Sequence, residues 1–97
     1  MEFEWDENKH RSNLEKHGIG FDEAIRIFNG PVQTTTDDRE DYGEHREISI
    51  GEIENLAIVV VVHTDREGIT RIISARPAHK KERDMYHEYC TSIIEGR

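Results

Sequence analysis

The sequence predicts a single α+β domain, with an antiparallel sheet preceded by two helices and followed by a third. Three observations predict it. Two early stretches carry apolar residues at helical spacing between start and stop residues, three later stretches read as strands separated by short turns, and a last apolar stripe returns to helical spacing. A chain of 97 residues can bury one modest core and not two, so residues 1–97 are expected to form one domain.

Phe3-Glu4-Trp5 alternates like a short strand. Asp6 is then a good N-cap for a helix running toward His17, with Gly18 as its stop. Gly20-Phe21-Asp22 opens a shorter helix in which Phe21, Ala24, Ile25 and Phe28 recur at helical spacing, and Asn29-Gly30-Pro31 ends it. Residues 32–36 have strand propensity. The acidic stretch 37–44, containing Tyr42-Gly43, reads as an exposed loop.

Strands over 46–53, 56–64 and 69–76, separated by Glu54-Asn55 and by Asp65-Arg66-Glu67-Gly68, form an antiparallel meander. With the simplest hairpin register, alternation puts Arg46, Ile48, Ile50, Val59, Val61, His63, Thr70, Ile72, Ser74 and Arg76 on one face. The other face also has an apolar centre, in Ile58, Val60, Val62 and Ile73. Both faces therefore need cover, one from the two N-terminal helices and part of the other from the C-terminal helix or a partner. After Pro77, the stripe Met85, Tyr86, Tyr89, Cys90, Ile93 and Ile94 predicts that helix.

Apolar residues make up 34% of the chain and charged ones 35%, and three Phe, three Tyr and one Trp supply enough bulk for a core. A single cysteine, Cys90, excludes an internal disulfide. No cationic leader precedes an apolar stretch, and the longest apolar run, 56–62, is too short to span a bilayer, so a reducing cytoplasm and no membrane partner are expected. The net charge of -8 speaks against a nucleic-acid binder, because phosphates are neutralised by clustered Lys and Arg. Its distribution qualifies that objection: residues 1–60 hold six basic and fifteen acidic residues, and residues 61–97 hold seven basic and six acidic.

One cysteine and six scattered histidines lack the paired spacing of a zinc site, and no phosphate-cradling glycine loop or nucleophile elbow is present. No metal and no cofactor are expected. Two basic clusters remain. Arg46 and His63 are expected to face each other across neighbouring strands near the 65–68 turn. Arg76 is expected about six residues further along the sheet, roughly 20 Å away. It leads directly into a helix start that presents His79, Lys80 and Arg83, where unpaired backbone N–H groups favour a phosphate. The bland alternative is that Arg76 pairs with an acidic side chain while His79 caps the helix and Glu82 completes a capping box.

The segments Phe3-Glu4-Trp5-Asp6, NLEKHG (13–18), Phe21-Asp22-Glu23-Ala24, Asp41-Tyr42-Gly43-Glu44 and IISAR (72–76), in this order, resemble the BrnT family over most of the chain. The resemblance implies a bacterial ribonuclease toxin with a RelE-like fold. It also implies a BrnA-like antitoxin that silences the toxin and binds operator DNA, so that the toxin reaches DNA only indirectly. Arg76 matches the arginine that closes IISAR, and Arg83 and Tyr86 match the basic helix that follows. Pro77 and His79 depart from the family's usual run, in which a basic residue and a Thr commonly stand there.

The expected chemistry is metal-independent RNA cleavage. The ribose 2'-OH attacks the adjacent phosphate, Arg76 and Arg83 stabilise the developing charge, and His79 transfers the proton. Lys80, Arg71, Arg46 and His63 are the residues expected to contact the rest of the RNA. An inactive module that keeps the fold and the antitoxin surface is the alternative, and an acidic mimic of nucleic acid built on 37–44 is a third reading.

Overall fold

The computed structural model describes residues 1–54 and 57–96. The expected Asn55 turn position and a strand start at Leu56 lie outside the described residues. The element order is β1 (Glu2–Trp5), α1 (Glu7–His17), α2 (Phe21–Ala24), a 3-10 helix (Ile25–Asn29), β2 (Val32–Thr36), β3 (Glu47–Glu52), β4 (Ile58–Arg66), β5 (Ile69–Pro77) and α3 (Lys80–Glu95). The result is an α+β fold around one five-stranded sheet.

Local chemistry sets the first elements. The Asp6 carboxylate accepts from the backbone N–H groups of Asn8 and Lys9 at 2.8 and 3.1 Å, which starts α1. Gly18, at φ 73°, takes the left-handed turn that stops it. The second predicted helix breaks into one α-turn and a 3-10 helix. There Ile27 is pressed against β3 so closely that a Cβ on Gly51 would stand 2.7 Å from its own Cβ. Gly51 is the space into which Ile27 packs.

Strand order is β1-β5-β4-β3-β2. The meander of β3 to β5 is antiparallel as expected, β2 adds to it antiparallel to β3, and β1 lies parallel to β5, so the sheet is mixed. Helix α1 carries the chain away from β1, and only the last strand is left beside it. No local pattern could show that pairing.

The register also corrects the sequence reading. Ile48 pairs with Val62 and Ile50 with Val60, one residue away from the simplest hairpin. A one-residue slip exchanges faces. Val59 and Val61 therefore join Ile19, Phe21, Ala24, Ile27, Ile72 and Ala75 under the N-terminal helices, with Phe3, Trp5 and Phe28 at the margin. Ile50, Ile58, Val60 and Ala78 pack with Tyr86 of α3 on the opposite face. Between Val62 and His63 the β4–β5 register shifts, leaving Ile73 as the extra residue of a bulge.

Candidate functional site

Arg76 stands opposite Val60, on the face that α3 covers only in part. The next residues turn the chain into α3, whose first turn brings Glu82 back to it. Arg76 Nη1 and Nη2 donate to the two Glu82 carboxylate oxygens at 2.8 Å each. His79 caps the helix: its Nδ1 accepts from Glu82 N–H at 3.4 Å, and its own N–H donates to Glu82 Oε1 at 3.0 Å. His79 Nε2 lies 3.4 Å from the same carboxylate. Hydrogen bonds from Arg76, foremost, hold the Glu82 carboxyl down at about 2. The ion pair and capping box foreseen as the bland alternative are both present.

A cleft of about 250 Å³ opens on this pair, floored by Ile48, Val60 and Val62, with Ser74, Arg76 and Glu82 on one side and Arg39 on the other. Arg39 comes from the stretch that reads as an exposed acidic loop. Its first residue, Asp37, is in fact buried and extends the β2–β3 ladder, donating its N–H to Arg46 O at 2.8 Å. The Asp37 carboxylate receives Arg39 Nε at 2.7 Å and Nη2 at 2.8 Å. Those bonds, more than the opposing cost of burial, hold the Asp37 carboxyl at about 2. Composition had hidden Arg39, because nearby acidic residues outnumber it.

The other predicted residues disperse. Arg83 donates to Ala78 O at 3.0 Å and steadies the entry to α3, while Lys80 pairs with Asp84 at 2.8 Å on the exposed side of that helix. Arg71 pairs with Glu4 of the neighbouring β1 at 3.5 Å. Arg46 does not face His63, since Glu47 is that residue's partner. Arg46 instead pairs with Glu44 at 3.0 Å and lies 4.0 Å over the Tyr42 ring. The level of His63 is three residues from that of Val60, about 10 Å and not 20.

His63 is turned into the core beneath the N-terminal helices. It meets Phe28 edge-on at 5.3 Å, and its Nε2 shares a 2.7 Å hydrogen bond with the fully buried Ser49, which in turn bonds Thr34 at 2.7 Å. Burial pushes its pKa down. A Ser–His contact sealed in this way satisfies core polar groups and has no access to a substrate. Tyr86 is likewise structural: buried, with its hydroxyl donating to Pro31 O at 2.7 Å.

Asn13, within the NLEKHG stretch, has a role that spacing alone did not reveal. The β1–β5 ladder ends at Trp5 and Ile72, so Ala75, paired with Val61 of β4 on one side, has no strand on its other side. Asn13 takes the strand's place: its Oδ1 accepts from Ala75 N–H at 3.1 Å, and its Nδ2 donates to Ala75 O at 2.7 Å and Ile19 O at 2.9 Å. The residue just before Arg76 is thus fixed from α1.

The family model for the ribonuclease toxin BrnT of type II toxin-antitoxin systems matches residues 5–82. This chain belongs to the BrnT family. The crystal structure of the Brucella abortus ribonuclease toxin BrnT is similar at 29% identity and a TM-score of 0.62, over 82% of this chain and 99% of that one. No curated protein matches. The matched span takes in Asn13, Arg39 and the Arg76–Glu82 pair, and ends one residue before Arg83.

Proposed function

We propose that this BrnT-family chain is a RelE-like endoribonuclease that cuts RNA without a metal ion, in the cleft beside Arg76. The observation that carries the reading is the two-pronged Arg76–Glu82 pair lining an open cleft. Nη1 is shared between Glu82 and the Pro77 carbonyl, the latter at 3.3 Å, and Nη2 is on Glu82, so the guanidinium is oriented before substrate arrives. Its remaining N–H donors, on Nε and Nη2, are the ones a phosphate would take. When a ribose 2'-OH loses its proton and attacks the adjacent phosphate, the P–O5' bond breaks and the 5'-oxygen leaves as a hydroxyl on gaining a proton. Arg76 stabilises the charge that develops on the phosphoryl oxygens.

His79, hydrogen-bonded beside the pair, is the proposed proton carrier. Arg83 and Lys80 flank the entry, and Arg71 and Arg46 extend the contact along the sheet. His63, sealed in the core, has no part in it.

Pairing also reconciles the activity with a net charge of -8. Asp37 and Glu82 neutralise Arg39 and Arg76, so the cleft acts through placed donors more than through a positive field. The proposed partner is a BrnA-like antitoxin, with operator DNA reached only through it, and the setting is the cytoplasm. One observation favours an inactive antitoxin-binding module instead: His79 already serves as the helix cap.

The test is to incubate the purified chain with single-stranded RNA in excess EDTA and identify the new ends. Cleavage leaving 2',3'-cyclic phosphates is expected. A requirement for a divalent ion, or 5'-phosphate ends, overturns the mechanism, and no cleavage under any condition favours the inactive module.

A further inference from the structure

We infer that Arg39 is a second phosphate ligand of the cleft, facing Arg76, and that buried Asp37 is the positioning residue that aims it. The inference rests on the ribonuclease reading for its substrate but on separate observations for its residues. Arg39 and Arg76 reach one cleft from segments far apart in the chain, the first from beyond β2 and the second from the end of β5. Two like charges are brought together there. The Arg39 charge opposes protonation of Arg76, which Glu82 more than offsets. Each guanidinium has its own carboxylate, yet both line one opening, an arrangement that a bridging anion would complete.

The manner in which Arg39 is held fits that role. Asp37 takes the Nε edge and one Nη of the guanidinium, leaving Nη1 without a hydrogen bond to Asp37. Asp37 itself cannot swing, because its N–H is tied to Arg46 O and its side chain has 0% exposure. Arg39 remains 63% exposed at its side chain, so the group that would meet solvent and substrate is the edge of the fork that Asp37 leaves open. The Asp37 carboxylate, at about 2, stays charged throughout the neutral range, so the pair that aims Arg39 is intact there. The floor of Ile48, Val60 and Val62 is apolar, and Ser74 and the Glu82 carboxylate, already paired with Arg76, complete the wall, a lining suited to a ribose or base edge beside one phosphodiester.

The experiment uses the full chain, a cleavable single-stranded RNA, and a 2'-O-methyl copy that cannot be cut. For wild type, Arg39→Ala, Arg39→Lys and Asp37→Asn, it measures kcat, KM, melting temperature and the salt dependence of affinity for the uncut copy. Arg39→Ala is expected to lower kcat about 100-fold and to reduce the slope of log affinity against log salt by about 0.7, one phosphate contact on a single strand. Arg39→Lys keeps the slope but not the rate, since a point charge replaces the fork.

Asp37→Asn separates positioning from mere charge. It removes a negative charge, so a purely electrostatic role predicts tighter RNA binding at unchanged kcat, whereas a positioning role predicts a lower kcat with KM little altered. An Arg39→Ala protein that melts lower yet keeps the wild-type salt slope overturns the inference, because the pair then serves only the loop. If wild type binds the copy through Arg39 but cuts no RNA, the ribonuclease reading fails and the phosphate ligand stands.

Discussion

The two faces of the sheet are covered by different chemistry, although the same strands supply both. Under the N-terminal helices, Phe21, Ala24, Ile27, Val59 and Val61 are wholly inaccessible to solvent, and even the polar groups there, Ser49 and His63, bond to one another. On the α3 face the apolar cluster is smaller, four buried residues around Tyr86, and beyond Val60 it gives way to paired arginines and carboxylates. Alternation along a strand is the device: Ala75 turns into one face and Arg76 into the other, as Val61 and Val60 do one strand away. Stability is concentrated on the sealed face, and the other is left free to carry chemistry.

If that division holds, the largest effect on folding comes from the sealed face. Phe21→Ala should cost about 3–5 kcal/mol, the usual range for deleting a buried aromatic ring, read as a lower denaturation midpoint at an unchanged slope. A loss below about 1 kcal/mol would show that this face is less tightly packed than its inaccessibility indicates.

Arg76→Ala is the converse. RNA cleavage should fall about 10²–10³-fold, as when one donor to a developing oxyanion is removed, while the fold stays cooperative. The melting temperature should drop only by what Glu82 loses with its partner, a loss screened at an Arg76 side chain that is 39% exposed. A variant that fails to fold would place Arg76 among the structural residues and erase the contrast.

Asn13→Ala tests the connection between the faces. Leaving the Ala75 N–H and C=O buried without partners should cost about 1–3 kcal/mol. Hydrogen exchange should quicken first at Ala75, next to Arg76, and exchange that quickened elsewhere in β5 before Ala75 would contradict the role of a surrogate strand.

Acid sharpens the comparison, since the two faces titrate in different ranges. His63 is held below its ordinary 6.5 by burial, so its contribution is present above that value and is lost as pH falls through it toward the folded pKa. Asp37 and Glu82, both at about 2 when folded against ordinary values of 3.8 and 4.5, contribute above those values and lose that contribution between about pH 4.5 and 2. The melting temperature should therefore decline in two stages, gently below about 6.5 and more steeply below about 4.5. Asp37→Asn and Glu82→Gln should flatten only the second stage. Flattening of the first by either substitution would mean that the two faces are not independent.

How much of this was legible in the sequence depends on how local each signal is. The Asp6 cap, the Gly18 stop, the three meander strands and the helix after Pro77 are each written within a few residues, and each is found. The parallel β1–β5 pair is not, because it joins residues more than sixty apart. Register was missed by a single residue, enough to put Val59 and Val61 on the wrong face and to pair Arg46 with His63. Arg76 and Glu82 lie six apart across a strand-to-helix turn, so their meeting was foreseeable and stood as an alternative. Arg39 had no such cue: its place at the cleft depends on Asp37 continuing the β2–β3 ladder beyond β2, where composition shows only an acidic loop.

The smallest expected effect belongs to Arg46, and it decides how far along the α3 face the RNA contact extends. Arg46 shares Glu44 with Arg66, at 3.0 and 3.3 Å, so two guanidiniums answer one carboxylate, and its own guanidinium rests on the Tyr42 ring. Removing it leaves Glu44 with a partner still in place, and its pair is near the surface, where such contacts contribute little. Arg46→Ala should therefore leave kcat within about threefold of wild type, with a modest rise in KM from the loss of one flanking phosphate contact. The measurement is a steady-state comparison with Arg76→Ala on the same RNA at two salt concentrations. An Arg46→Ala loss in kcat equal to that of Arg76→Ala would put the reacting phosphate near Tyr42 and Glu44, at the other end of the face. No change in KM at either salt would confine the RNA to the cleft between Arg39 and Arg76.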